Sequence, residues 1–263
     1  MTASLPEFEH RVILEEVLEV APGRLPRNIV LNPFQQRLVD IAVAQRLAGV
    51  PLQYVIGRWE FCGLSIALER GVLIPRPETE GLVEEVLARV PADARGIAVD
   101  LGTGTGAIAL AVAHARPGME VRAWDVNPRA ARLARRNARL TRIPIHVEEA
   151  DLRSAPLPAR GVALIASNPP YIAHAEIAQL DTSVRDHESH LALDGGPDGL
   201  DLVRAVLARA AEALAPGGLA ALEIGWDQGP RALEAARAAG ATHVEVRPDL
   251  AGKDRVLLAR WAR

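Results

Sequence analysis

Ile97-Ala98-Val99-Asp100-Leu101-Gly102-Thr103-Gly104-Thr105-Gly106 joins a short apolar run to a glycine-rich turn. Residues 97–100 read as a buried strand and residues 105–114 as the helix after it. Glycines let the chain reverse sharply and let a ligand come close to the backbone. In an open α/β sheet such a turn sits at the carboxyl end of a strand, where ligands bind.

The same alternation extends downstream. Residues 121–125, 143–147, 163–166, 219–224, 243–246 and 256–259 read as six further strands, and 128–140, 201–214 and 232–239 as helices. This predicts a Rossmann-like seven-stranded α/β domain, mostly parallel, with helices on both faces. Only a loop separates the final two strands, so the last strand is expected to be antiparallel. Upstream, residues 79–90 read as a helix. Residues 71–77 form a linker stiffened by Pro75 and Pro77, and the runs flanking Gly63 predict a β-hairpin. The first fifty residues read as helices. Val12, Leu14, Val17, Leu18 and Val20 make one apolar face, and Phe34, Leu38, Ile41, Ala42 and Ala48 another, with Asn32-Pro33 as a start signal. The expected division is a helical N-terminal domain with a hairpin linker at 1–73 and a larger domain at 74–263.

Composition narrows the function classes. Of 263 residues, 49% are hydrophobic and 24% charged, the balance of a soluble globular chain. No apolar run reaches a membrane span, and residues 1–10 lack the apolar core of a signal peptide. Cys62 is the only cysteine, which excludes an internal disulfide and a cysteine-based metal site. His187 and His190 are close in sequence but have no partners for a metal. A cytoplasmic location fits. The formal net charge of −3 argues against a general nucleic-acid binder. Arg129, Arg132, Arg135, Arg136, Arg139 and Arg142 read as a solvated helix face, with docking to an acidic partner as the alternative.

Two features carry chemistry. The first is the turn Gly102-Thr103-Gly104-Thr105-Gly106 with Asp125 about twenty residues on, at the end of the second strand. A carboxylate there can accept hydrogen bonds from both ribose hydroxyls of an adenosine. The loop also fits a dinucleotide pattern, so an NAD reading survives on the motif alone. Asp100, just before the turn, favours S-adenosylmethionine instead: its charge suits a cationic methionine end and would repel a pyrophosphate. Asp151, after the third strand, is placed to approach an adenine edge or to stand as a solvated loop carboxylate.

The second feature is Asn168-Pro169-Pro170-Tyr171, after a buried strand. Two prolines stiffen the segment and leave its carbonyls free to accept. An amide or aromatic amino nitrogen is a poor nucleophile with two N–H donors. The Asn168 side-chain oxygen and the Pro169 carbonyl can accept one each, which aligns the nitrogen with a methyl donor and stabilises positive charge on it. Tyr171 can stack on the planar group. The tetrapeptide alone does not separate glutamine from adenine.

Several blocks together resemble the release-factor glutamine methyltransferases, the PrmC/HemK family. They are Pro51-Leu52-Gln53-Tyr54-Val55-Ile56-Gly57, Glu60-Phe61-Cys62-Gly63, Ile74-Pro75-Arg76-Pro77-Glu78-Thr79-Glu80, the glycine turn with Asp125, and the 168–171 tetrapeptide. The glycine-rich stretch 193–201, Glu223-Ile224-Gly225-Trp226 and Asp249-Leu250-Ala251-Gly252-Lys253-Asp254-Arg255 complete the match. The resemblance implies a class I S-adenosylmethionine-dependent methyltransferase fold, with S-adenosylhomocysteine as the cofactor product. It implies methylation of the glutamine amide in the Gly-Gly-Gln motif of class I peptide release factors, by a monomer that needs neither membrane nor nucleic acid. It also implies that the N-terminal domain helps hold the release factor. By position, Gly102 to Gly106, Asp125 and Asn168 would touch the cofactor, and residues 168–171 would hold the glutamine. Leu152 stands where relatives often carry an aromatic residue in the cofactor pocket, and Glu188-Ser189 stands where Glu-Pro is common. A ribosomal-protein glutamine methyltransferase, a DNA adenine-N6 methyltransferase and a non-catalytic cofactor-binding adaptor are the rival readings. The block at 74–80 favours the release-factor branch, the net charge argues against DNA, and the intact tetrapeptide argues against an adaptor.

Overall fold

The computed structural model describes residues 5–158 and 161–262; the first four residues of the segment expected to lack a leader lie outside them. Three helices open the chain: α1 (Glu7–Val17), α2 (Pro33–Leu47) and the short α3 (Leu52–Ile56). Asn32 caps α2 by a reciprocal capping box with Gln35, and Pro33 sits in the first turn, where its missing N–H is no loss. Ile13, Val39 and Leu52 form the small core of this unit. The apolar stripe expected on α2 turns out to face solvent: Phe34, Leu38 and Ile41 are all exposed, and only Ala42 of the stripe packs inward. Val39 and Val43 make the contact instead.

A two-stranded hairpin follows, β1 (Arg58–Phe61) and β2 (Leu64–Ala67), with Phe61 opposite Leu64. Cys62 and Gly63 both take positive φ, 48° and 74°, as a tight two-residue hairpin turn requires. Helix α4 (Pro77–Arg89) then leads into the main sheet through β3 (Gly96–Leu101), α5 (Ala107–Ala115), β4 (Met119–Asp125), α6 (Pro128–Thr141), β5 (His146–Glu149) and β6 (Val162–Ser167). The short α7 (Thr182–Arg185) lies between two 3₁₀ turns. After it come α8 (Asp201–Ala213), β7 (Leu214–Glu223), α9 (Gly229–Ala238), β8 (His243–Pro248) and β9 (Asp254–Arg260).

The seven strands lie in the order β5-β4-β3-β6-β7-β9-β8. The sheet is parallel except for β9, which runs against both β7 and β8. The strand count and the antiparallel last strand agree with the sequence reading. Element ends differ by a few residues; the third expected strand begins at His146 rather than at 143, and Ile143 is a buried residue ahead of it.

Alternation along the strands divides the core. Ala98, Val121, Leu164, Ala221 and Leu258 face the layer of α4, α5 and the hairpin. Val99, Trp124, Ile165, Leu222 and Leu257 face α8 and α9. The chain turns outward through β4 and β5 on one side of β3, then returns to add β6 and β7 on the other. The direction of winding reverses between β3 and β6, so a crevice opens beyond their carboxyl ends. The glycine turn and the 168–171 tetrapeptide both lie there, because β3 and β6 pair in parallel and end at the same edge.

Candidate active site

The glycine turn after β3 is held from both sides. Gly102 and Thr103 donate their backbone N–H groups to the Trp124 carbonyl, each at 2.9 Å, so the turn is tied to the end of β4. Gly104 donates to Asp125 Oδ2 at 2.8 Å, and Asn127 donates to Asp125 Oδ1 at 2.8 Å. Each carboxylate oxygen keeps a lone pair for a further donor. Burial pushes the Asp125 carboxyl upward, against these two backbone hydrogen bonds.

Beneath the turn, Asp100 is fully enclosed. Its Oδ2 accepts from Thr103 Oγ1 at 2.6 Å and from the Ala109 N–H at 3.2 Å, while Oδ1 is buried without a partner. Burial pushes this carboxyl up to about 7. Gly106 does not border the crevice. It has φ of 85°, and a Cβ there would meet Ala134 Cβ at 3.1 Å, so it is the glycine that lets α6 pack against the turn.

The crevice is a cavity of about 490 Å³. Gly102, Thr103, Gly104, Thr105, Asp125, Asp151, Leu152, Asn168 and Pro170 line it. Asp100, Gly106, Pro169 and Tyr171 do not. Asp151 reaches the wall, but its carboxylate is engaged by Arg153 Nε at 3.0 Å, which holds it below the usual carboxylate range. Leu152 is buried under Gly102 and packs with the core on that face of the sheet.

Sequence reading missed several walls. Val72, Leu73, Val126 and Leu191 supply apolar surface, and Thr79 and Asn127 supply polar groups. Val126 and Asn127 directly follow Asp125, so proximity to the motif was their available signal. Val72 and Leu73 come from the linker, and Leu191 from a 3₁₀ turn; a single sequence carries no sign that these segments meet. The linker and the loop before Leu191 are clasped by Arg76, which donates to both Glu188 oxygens at 2.7 and 2.8 Å. His187 and His190 lie in that loop, and no metal cluster forms among the described residues.

At the other end of the cavity stands the tetrapeptide. Asn168 Nδ2 donates to Thr79 Oγ1 at 3.2 Å, Thr79 Oγ1 donates to Glu223 Oε2 at 2.6 Å, and Tyr171 Oη donates to Glu223 Oε1 at 3.1 Å. No protein partner engages Asn168 Oδ1 among the described residues. Burial pushes the Glu223 carboxyl upward, against the hydrogen bonds from Thr79 and Tyr171 and the charge of Arg255. Burial, with the charge of Glu223, likewise raises the Tyr171 phenol. Thr79 and Glu223 sit inside blocks that mark the family resemblance, yet reading the sequence attached no chemistry to either.

The glycine-rich stretch at 193–201 braces this segment from behind. Ile172 donates to the Leu193 carbonyl at 3.0 Å, and Gly195 donates to the Ile172 carbonyl at 2.8 Å. A Cβ on Gly195 would fall 2.8 Å from the Pro170 carbonyl and 2.8 Å from Tyr171 Cα, so only glycine allows this approach. Gln228 adds a hydrogen bond to the Tyr171 carbonyl at 2.8 Å.

The cavity suits an elongated ligand with a flat apolar part and a diol. Its size falls within the roughly 300–1,000 Å³ usual for small-molecule sites. Leu152 and Val126 offer apolar faces, Asp125 offers acceptors, and the uncapped glycines leave open space: a Cβ on Gly104 would meet nothing within 4 Å. These residues fit S-adenosylmethionine.

Comparisons with known proteins agree in fold and chemistry. Residues 79–229 match the family model described as methyltransferase small domain, and residues 2–57 match the PrmC N-terminal domain. A release factor glutamine methyltransferase of Moorella thermoacetica is 48% identical over 97% of this chain and 91% of its own length. One from Deinococcus radiodurans is 38% identical over 98% of this chain and 92% of its own. Among solved structures, a methyltransferase from Pyrococcus furiosus superposes with a TM-score of 0.61 at 18% identity, covering 84% of this chain and all of its own. The model matched across the glycine turn describes methyltransferases, which closes the dinucleotide alternative left open by the loop pattern.

Proposed function

Because this chain belongs to the family of release factor glutamine methyltransferases, we propose that it transfers a methyl group from S-adenosylmethionine to the side-chain amide nitrogen of the glutamine in the Gly-Gly-Gln motif of class I peptide release factors. The observation that carries this is the unengaged Asn168 oxygen at the wall of a glycine-turn cavity.

When bound, the cofactor supplies an electrophilic methyl group on a sulfonium and leaves as a neutral thioether, S-adenosylhomocysteine. The protein's part is to hold and orient. Gly102, Thr103, Gly104 and Thr105 cradle the cofactor, Asp125 accepts from its ribose hydroxyls, and Leu152 packs on the adenine. Asp151, already paired with Arg153, borders the adenine edge. Asp100 sets a negative charge beneath the turn, and Gly106 shapes it. Asn168 Oδ1 and the Pro169 carbonyl accept the two amide N–H groups, Pro170 stiffens the segment, and Tyr171 stacks on the amide plane. Pro169 and Tyr171 are assigned to the acceptor rather than to the cofactor. Orientation of the nitrogen and stabilisation of its growing positive charge replace a strong base. The proton leaves to solvent after transfer.

Residues 74–263 carry this chemistry, with Val72 and Leu73 of the linker completing the cavity wall, and the helices of residues 1–73 serve to dock the release factor. The exposed Phe34, Leu38 and Ile41 on α2 support that assignment. The enzyme works as a monomer in the cytoplasm, where translation terminates. Among the described residues no helix is long and apolar enough to cross a membrane.

Methyl transfer from labelled cofactor to purified release factor, ribosomal protein and DNA, run in parallel, tests the reading. Label is expected on the release factor glutamine; label on DNA with none on the release factor overturns it. Asn168→Ala is expected to lower kcat by about a hundredfold or more, the scale of losing one oriented polar group at a reacting centre. Release-factor affinity should change far less. Full activity in that variant would remove Asn168 from the acceptor role.

A further inference from the structure

Glu223 is a buried carboxyl that accepts a hydroxyl hydrogen bond on each oxygen, the pattern of a carboxylate, and the methyl-transfer reading gives it no task. Its side chain is enclosed at the end of β7, between α4 and the segment after β6. An ionised carboxylate has only acceptors to offer. The Thr79 hydroxyl has one proton, and at 2.6 Å that proton goes to Glu223 Oε2. What remains on Thr79 Oγ1 toward Asn168 is a lone pair. Whichever atom of the Asn168 amide faces it must therefore be the NH₂ group, at 3.2 Å. The amide oxygen is then left unengaged. The other end of the tetrapeptide is referred to the same carboxylate, through the Tyr171 hydroxyl at 3.1 Å.

We propose that Glu223, acting through Thr79, is a positioning residue: its two acceptor oxygens fix the direction of the Asn168 amide and so keep the Asn168 oxygen free for the acceptor nitrogen. The inference rests on the reading of Asn168 as an acceptor group. It also accounts for the retention of a buried charge between elements that apolar residues could join more cheaply. A glutamine side chain in place of Glu223 offers one acceptor and one donor where the carboxylate offers two acceptors, so one of the two hydroxyls must turn. With the NH₂ toward Thr79, Thr79 donates to Asn168 Oδ1 and the oxygen meant for the substrate is consumed; with the NH₂ toward Tyr171, the relay keeps its direction. A purely structural role predicts otherwise, because an isosteric amide keeps both contacts and the tie between α4 and β7.

Glu223→Gln removes the fixed direction of the relay without changing shape. Thr79→Val removes the relay hydroxyl at nearly constant volume, and Thr79→Ser keeps it. With whichever acceptor the wild type labels, kcat is expected to fall by about tenfold or more in Thr79→Val and by less in Glu223→Gln, with cofactor Kd from titration calorimetry within about threefold of wild type. Thr79→Ser should recover most of what Thr79→Val loses. The double variant should be no slower than the worse single, because the two residues act as one unit. Wild-type kcat in Thr79→Val, multiplicative losses in the double variant, or no difference between the serine and valine variants would each overturn the relay. If Glu223→Gln does not fold, the Thr79 pair alone decides. Failure of the methyl-transfer reading would show in the wild type; failure of this inference shows only in the variants.

Discussion

Asp100 is a buried carboxyl whose proposed service to the cofactor is set against its cost to stability. Enclosure raises its carboxyl from 3.8 to about 7, and Oδ1 has no partner to offset the loss of water. The folded state therefore holds the proton more tightly than the unfolded chain between those two values. This group's contribution to stability is fully present below about 3.8 and is lost as pH rises through about 7. Asp100→Asn removes the charge while its amide oxygen still accepts from Thr103 and Ala109. Without cofactor, its Tm at pH 8 is expected to exceed that of the wild type by about 2–4 °C for each kcal/mol recovered. The gap should narrow toward pH 5, where the wild-type carboxyl is protonated. Calorimetric scans at the two pH values check both sign and trend. If Asp100 serves the cofactor as proposed, cofactor affinity should fall in the same variant, since a charge beneath the glycine turn is gone.

At the scale of elements, the glycine turn contains two glycines with different duties. Gly106 has φ of 85° and stands 3.1 Å, through a built Cβ, from Ala134 on α6. Gly106→Ala meets backbone strain and crowds the α6 backbone at Ala134, and is expected to lower stability by about 2–4 kcal/mol. Gly104 has φ of 56° and open space beside it. Gly104→Ala should cost only about 1 kcal/mol of stability, from the left-handed backbone. It projects a methyl into the cavity, so its main effect should be weaker cofactor binding. Chemical denaturation and cofactor titration on both variants separate these outcomes. Helix α6 is anchored to the same turn by Asn137, whose amide bonds Ala67 N, Ala67 O and Thr105 O at 2.9, 3.0 and 2.8 Å. One satisfied polar side chain thus joins hairpin, helix and turn.

For the whole molecule, the cavity depends on contacts between parts far apart in sequence. Arg76 and Glu188 clasp the linker to the loop that carries Leu191, and the Glu188 side chain is 1% exposed. Arg76→Ala leaves that buried carboxylate without its cation and with the Ile74 N–H as its remaining partner, at an expected loss of about 2–3 kcal/mol. Adding Glu188→Gln should restore part of it, read as a rise in the denaturation midpoint of the double variant over the single. The exposed face of α2 belongs to the same scale. Phe34→Ser with Ile41→Ser removes two large apolar groups from a surface that the rest of the described chain leaves exposed. KM for intact release factor is expected to rise by about tenfold or more, with kcat at saturation little changed. Steady-state kinetics at varied release-factor concentration test this.

The parallel sheet, the glycine turn and the 168–171 segment were legible from order along the chain. They are local patterns: apolar runs of strand length, glycines where the backbone must turn left-handed, and paired prolines that stiffen the segment after a strand. Their meeting at one edge was legible as well, because parallel strands put their carboxyl ends together. The outward face of α2 was not legible, since helical spacing marks an apolar stripe without saying what covers it. Nor were the walls built by Val72, Leu73 and Leu191, or the chain of bonds from Glu223 through Thr79 to Asn168. Those residues come from segments 89 and 144 positions apart in the two relay bonds. Such proximity is created only when α4, β6 and β7 pack, and the direction of an amide is decided by which neighbour has a proton to give.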